Sequence, residues 1–161
     1  MPFTARERWL VRFLNVYPPY LGAGVRARPA AEGGRRAIDV EMRLRWWNRN
    51  YVGTHFGGSL ASMCDPHFML LLLWELGPEY LVWDKAATIR YRKPGRGTVR
   101  ARFAIPAARV EEIRRATAGG GKVEPVFETA VVDDSGEVVA EVEKLLWVRR
   151  KDASRTAPPA P

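Results

Sequence analysis

The chain has 161 residues, room for one domain with a substantial core. Apolar residues make up 47% and charged residues 27%, the balance of a globular protein rather than a disordered or membrane-embedded one. The net charge of +8 suits a polyanionic partner or serves solubility, and a single cysteine, Cys64, excludes an internal disulfide framework. The first residues lack the apolar stretch of a signal peptide, and the longest apolar run, from Phe68 to Trp74, is far below the roughly 20 residues of a bilayer span. A cytoplasmic chain with no membrane segment is the expectation. No zinc-ligand spacing, helix-turn-helix pattern or RNP-type aromatic motif occurs, so nucleic acid is not expected as a partner.

In chain order, Thr4 to Glu7 reads as a capping box ahead of Trp9, Leu10, Phe13 and Leu14, a helically spaced apolar stripe expected to lie across a sheet edge. Pro18-Pro19 and Gly22 are expected to end this helix. An extended piece over 25–29 leads to a turn at Glu32-Gly33-Gly34. Ile38, Val40, Met42, Leu44 and Trp46 then alternate with Asp39, Glu41, Arg43 and Arg45, the pattern of a half-buried strand. Residues 57–76 read as a helix, apolar all round in its second half and therefore buried, and stopped by Gly77-Pro78. Alternating stretches follow over 81–93, 98–105 and 123–132, with a short helix over 107–117 closed by Gly119-Gly120-Gly121. A hairpin turn at Asp133-Asp134-Ser135-Gly136 pairs 126–132 with 137–147. The single domain spans 1–150, and the basic, proline-rich residues 151–161 are expected to be disordered. The whole reads as α+β: an antiparallel β-sheet wrapped around a long central α-helix, with an N-terminal helix.

The chemically densest stretch runs from Asn50 to Asp65. Gly57 and Gly58 let the backbone approach a ligand closely, and the free N–H groups of a helix start favour negative charge or a polarised carbonyl. Asp65 adds a carboxylate just before the apolar run. This spacing resembles the hotdog-fold acyl-CoA thioesterases of the phenylacetate type, whose signature reads Asn, Gly, His-Gly-Gly and an acidic residue eight positions after the first glycine of that pair. Asn50, Gly53, Gly57, Gly58 and Asp65 fall into register, while the family histidine falls on Phe56, with His55 one place earlier. The segment from Trp83 to Gly95 is similar to the strand after the central helix in an uncharacterised, DUF4442-like hotdog subfamily. The resemblance covers residues 22–148.

The resemblance implies a hotdog fold, a homodimer or homotetramer, and hydrolysis of an acyl-CoA without cofactor or metal. Gly57 would donate to the oxyanion, Asp65 would act as base or nucleophile, and Asn50 would orient the reactants. Gly58, His55, Phe56 and Lys85 would border the substrate. Eight helical residues span roughly 12 Å, whereas the donor and the attacking group must each lie about 3 Å from one reacting centre. Asp65 is therefore expected from a second subunit, its helix antiparallel across a two-fold axis.

Blander roles stand beside these. Asp65-Pro66 is a favoured cap pair, so Asp65 caps the second half of a kinked helix. His55 is a structural loop residue, His67 a packing residue and Cys64 a small buried hydrophobe. Lys85 shares a strand face with Trp83, Ala87, Ile89 and Tyr91, so it either pairs with Asp65 or lines the cleft, and Asp84 points to the opposite face. Arg90, Arg92, Lys93, Arg96, Arg100 and Arg102 form a basic band over two neighbouring strands that either meets the phosphates of coenzyme A or is solvated. Trp46, Trp47, Phe56 and Trp83 suggest an aromatic-lined pocket. Two other classes stay open: a hotdog 3-hydroxyacyl thioester dehydratase or hydratase, and a non-catalytic acyl-CoA binder in which Asp65 caps and Lys85 neutralises.

Overall fold

A computed structural model describes residues 1–151. Helix α1 (Ala5–Phe13) begins as its sequence predicts, with the Thr4 side chain accepting from the Glu7 N–H and the Glu7 carboxylate accepting from the Thr4 N–H. Its buried face is not the expected one. Phe3 and Val11 pack inward with Leu14, while Trp9 and Phe13 stack on each other in solvent. Glu7 lies on the inward row and is compensated there by the buried guanidinium of Arg36, which also reaches Glu75. Nor do Pro18-Pro19 end a helix: they open α2 (Pro18–Ala23), where proline's missing N–H costs nothing, and Gly24 closes it at φ 75°.

Strands β1 (Val25–Glu32) and β2 (Arg35–Arg43) form a hairpin across Gly33-Gly34. The alternation of β2 stops at Arg43 rather than running to Trp46, which is 78% exposed. Buried Asn48 turns the chain here: its Oδ1 accepts from the Arg45 N–H, and its Nδ2 donates to the carbonyls of Ala23 and Arg43.

The expected helix over 57–76 is two helices, α3 (Gly57–Ser62) and α4 (His67–Leu76). Pro66 has no N–H to offer the Ser62 carbonyl, and the N–H groups of Cys64 and Asp65 close tight turns onto Ala61 and Ser62 instead. The helix therefore restarts at His67. Four further elements complete the sheet side of the molecule: β3 (Tyr80–Tyr91), β4 (Thr98–Ala104), β6 (Val126–Val132) and β7 (Val138–Arg150), with α5 (Ala107–Thr117) and the short β5 (Lys122–Val123) between β4 and β6.

All seven strands join one antiparallel sheet in the order β1-β2-β4-β6-β7-β3, with β5 beside β7. Since β2 lies near one edge and β3 is the other, the segment between them has to cross the inner face, and α4 fills that face. Phe68, Leu71, Leu72 and Leu76 belong to the core that α4 builds against β2, β3 and β4, the Phe68 ring edge-on to Phe103 and stacked on Phe127 of β6. An antiparallel sheet curled on a central helix is the hotdog arrangement.

Strand β3 departs most from its pattern. Its pairing with β7 slips between Asp84 and Ala86, so Lys85 is a bulge and the parity of the strand reverses there. Asp84, expected outside, points in. Trp83, expected inside, lies on the outer face stacked on Trp147 with ring centres 3.8 Å apart. Lys85 projects outward to Glu124 at 2.6 Å and approaches neither Asp65 nor the inner face. The basic band is not a band either, because β3 and β4 sit apart in the sheet. Four of its six residues hold carboxylates: Arg92 with Glu141, Lys93 with Asp133 and Glu137, Arg100 with Asp134, and Arg102 with Asp39. The expected tail disorder falls on residues 152–161, outside the described residues. Lys151 is anchored to the carbonyls of Glu79 and Pro78.

Candidate functional site

The start of α3 is built by the loop before it. Asn50 folds that loop on itself: its Oδ1 accepts from the Thr54 N–H at 3.0 Å, and its Nδ2 donates to Thr54 Oγ1 at 2.9 Å and to the His55 carbonyl at 3.4 Å. Gly53, at φ 78°, supplies the left-handed turn inside this ring. His55 is buried, its Nε2 against the Gly97 carbonyl at 3.2 Å, and burial lowers its pKa against the pull of that carbonyl. It ties the loop to the segment after β3 rather than presenting its proton to a ligand.

At Gly57 the Tyr91 side chain lies directly on the backbone, its hydroxyl donating to the Gly57 carbonyl at 3.0 Å. A Cβ on Gly57 would stand 3.0 Å from that hydroxyl oxygen, a tight contact that the tyrosine would have to relieve by shifting. A Cβ on Gly58 would come within 2.4 Å of the Phe56 ring. No side chain caps α3, so the N–H groups of Gly57 and Gly58 have no acceptor among the described residues. With only six residues, α3 brings little dipole, and the amides themselves are what the site offers. They open onto two clefts. One, of about 420 Å³, is bordered by Asn50, His55, Gly57, Leu60 and Tyr91. The other, of about 570 Å³, is bordered by Trp47, Phe56, Gly58, Ser59 and Ser62. Of the four aromatic residues expected around a pocket, Trp47 and Phe56 line this second cleft.

Asp65 belongs to a different neighbourhood. Its side chain does not cap α4; the cap position is Pro66 and carries no side-chain bond. Instead Asp65 Oδ1 accepts from Lys144 Nζ at 2.6 Å, and Lys144 also lies 3.0 Å from Asp84 Oδ1. The lysine side chain is 6% exposed and that of Asp65 is 55% exposed. For Lys144, burial works against the charge, but the two carboxylates outweigh it and its pKa stands above the ordinary lysine value. Asp84 moves up, first through burial and further through Asp65, against the pull of Lys144.

Around this group the polar side chains are neutral. Tyr20 donates its hydroxyl to the Asp65 carbonyl at 2.5 Å, and His67 Nε2 lies 2.9 Å from the same hydroxyl. Burial lowers the His67 pKa to about 4 and keeps Tyr20 protonated, with Asp65 adding to the effect on Tyr20. Cys64 is pushed up to about 12, by burial first, with Lys144 opposing. It is an unreactive thiol at neutral pH. Among the described residues no three His, Cys, Asp or Glu side chains converge as metal ligands would, and no helix is long and apolar enough to cross a membrane.

Within one chain, then, Asn50, His55 and Gly57 share a cleft, Gly58 and Phe56 share the adjoining one, and neither Asp65 nor Lys85 borders either. Tyr20 and Lys144 were not singled out from the sequence, Tyr91 was named only as sharing a strand face with Lys85, and Asp84 was set on the opposite face. The signal for Lys144 was present: Val142, Lys144, Leu146 and Val148 alternate along β7, leaving a lysine in an inward row. The signal for Asp84 was hidden by the bulge.

The family described as Domain of unknown function (DUF4442) matches residues 6–148. No curated protein matches the chain. Among solved structures, a Pseudomonas aeruginosa protein of unknown function, PA5026, described as a probable thioesterase, is 25% identical with a TM-score of 0.78, covering 93% of this chain and 98% of that one. The PaaI protein of the Escherichia coli phenylacetic acid degradation operon is 18% identical with a TM-score of 0.59, covering 92% of this chain and 96% of its own. The BH2602 protein of Bacillus halodurans, solved with CoA, is 23% identical with a TM-score of 0.53, covering 68% and 66%. These neighbours share the thioesterase-like hotdog fold.

Proposed function

The chain belongs to the DUF4442 family, and from that premise, together with its thioesterase-like fold, we propose that it hydrolyses an acyl-CoA thioester to the free acid and CoA in sites shared between two subunits. One observation carries the reading. Tyr91, which touches Gly57, ends β3, and Asp84, which shares Lys144 with Asp65, stands inside the same strand just before its bulge; among the described residues β3 has no strand on its far side. An unpaired edge twelve residues long invites antiparallel pairing with its own copy. A two-fold axis at Thr88, with Lys85 bulged out of the count, sets residue 84 of one subunit opposite residue 91 of its partner on the same face. The acidic end of one molecule then meets the Gly57 end of the other, which a single chain keeps apart.

In that assembly the Asp65 carboxylate drives the attack, either by taking a proton from the water that adds to the carbonyl carbon, or by adding itself to give a mixed anhydride that water then hydrolyses to the free acid. Oδ1 is held by Lys144, and Oδ2 is the oxygen that acts. The Gly57 N–H donates to the oxyanion, the C–S bond breaks, and CoA leaves. Asn50 shapes the loop that borders the cleft and keeps a second lone pair on Oδ1 for a ligand. Gly58 and Phe56 border the acyl or pantetheine portion. Of the two roles the non-catalytic binder assigns, the cap is absent, since Asp65 caps no helix, and neutralisation of Asp65 comes from Lys144 while Lys85 pairs with Glu124. The dehydratase reading needs an available histidine, and His55 is turned to Gly97. Thiol release from a panel of acyl-CoA chain lengths tests the proposal. Turnover by the wild type and its loss in Asp65→Asn support it, and equal rates for the two proteins refute the role of Asp65.

A further inference from the structure

We infer that Lys144, braced by Asp84, is the positioning residue that holds the Asp65 carboxylate in its working orientation. The inference rests on the reading of Asp65 above and extends it to two residues that nothing in the sequence motif includes. Lys144 stands in the inward row of β7 between Val142 and Leu146, where an aliphatic side chain would pack without any charge to compensate. Replacing buried charge by apolar groups is often neutral or stabilising, so stability alone does not account for a lysine here. Its contacts do. The buried ammonium reaches outward to one oxygen of Asp65, whose side chain is more than half exposed, and sideways to Asp84.

An exposed aspartate needs no partner to be solvated, and without one it turns freely about its side-chain bonds. Lys144 removes that freedom by fixing Oδ1 at 2.6 Å. Asp84 completes the device: its carboxylate stands 3.0 Å from the ammonium on the buried side, so the lysine is compensated even while Asp65 engages a substrate. The bulge at Lys85 is what turns Asp84 to this face. Orientation of an attacking group is worth orders of magnitude in rate when the rest of the site is in place.

The test is a double-mutant cycle in the full-length protein. Lys144→Met lowers kcat by roughly 10- to 100-fold with KM nearly unchanged, because ground-state binding does not pass through Asp65. In an Asp65→Asn background the same substitution changes nothing further, whereas a merely structural loss would lower the residual rate in either background. Asp84→Asn, which preserves size and leaves Lys144 in place, produces a smaller fall in kcat that also vanishes in Asp65→Asn, and it serves if Lys144→Met fails to fold. Crystal structures of wild type and of the folding variant supply a readout independent of turnover: one Asp65 rotamer in the wild type, and a displaced or multiple one in the variant. An Asp65→Asn protein that is inactive while Lys144→Met and Asp84→Asn keep wild-type kcat overturns this inference and spares the proposed function. A wild type that cleaves no thioester sinks the proposed function, and an Asp65 carboxylate unmoved in the variant crystals then overturns the positioning role as well.

Discussion

The two faces of the sheet handle charge in opposite ways. On the outer face, arginines and carboxylates alternate across the strands, as where Arg102 grips Asp39 through two nitrogens at 2.7 and 3.0 Å. All of it is in reach of water. On the inner face a single ammonium, Lys144, stands between two carboxylates with its side chain almost wholly covered. Exposed pairs gain little because water already solvates both partners and side-chain entropy opposes the contact. A covered group has no such alternative, so breaking its pairing exposes the full desolvation cost. Counting ion pairs would rank the outer face first, whereas burial ranks the inner cations, Lys144 and Arg36, above the rest.

The largest expected effect breaks or confirms the inner group as chemistry. Asp65→Asn is expected to lower kcat/KM for an acyl-CoA by about 100-fold or more, the range for loss of a positioned base. Co-assembly sharpens this. If the site is shared, a mixed dimer of Asp65→Asn with an inactive variant of the Gly57 end, such as Gly57→Val, contains one intact site and recovers roughly half the wild-type rate per dimer, whereas a site contained in one chain recovers none.

Next comes stability. Lys144→Met leaves Asp84 and Asp65 facing each other without the cation and is expected to cost roughly 2–4 kcal/mol in urea unfolding, reduced from the fully buried case because Asp65 is half in solvent. Lys85→Met, the lysine that sequence parity singled out, is expected to change stability far less, since its partner Glu124 is itself accessible. Equal costs for the two lysines would dissolve the distinction between the faces.

The neutral neighbours of the inner group predict a pH dependence. His67 has a folded pKa of about 4, below its ordinary 6.5, because burial disfavours the imidazolium. Between those values the unfolded chain binds the extra proton, so the stabilisation is complete above pH 6.5 and is lost as the pH falls towards 4. The loss is about 3 kcal/mol over that window, and it should disappear in His67→Phe, as measured by urea unfolding at pH 7 and pH 4.5. Smallest of all, Arg102→Gln on the outer face is expected to move Tm by no more than about 2 °C at physiological salt.

Local rules were legible from the residues alone wherever a short stretch contains its own partners. The Thr4–Glu7 box, the Gly33-Gly34 hairpin and α5 over Ala107–Thr117 stand where the pattern put them, because capping, left-handed glycine and helical spacing act over three or four residues. The antiparallel sheet on a central helix was legible for a similar reason, since strand alternation and a fully apolar helix leave few ways to pack. Lys144 was half legible, its inward parity visible but its partners not.

What only the tertiary structure decided is where parity and partnership cross between distant segments. One bulged residue at Lys85 exchanges the inside and outside of half a strand, and nothing local to Asp84-Lys85-Ala86 announces it. Asp65 and Lys144, 79 positions apart, meet only because the segment after β2 must traverse the sheet to reach its far edge. Hydrophobic periodicity records which side of its own element a residue occupies. Whether a buried charge finds a counterion depends on which element is folded against it, and that is a property of the whole chain.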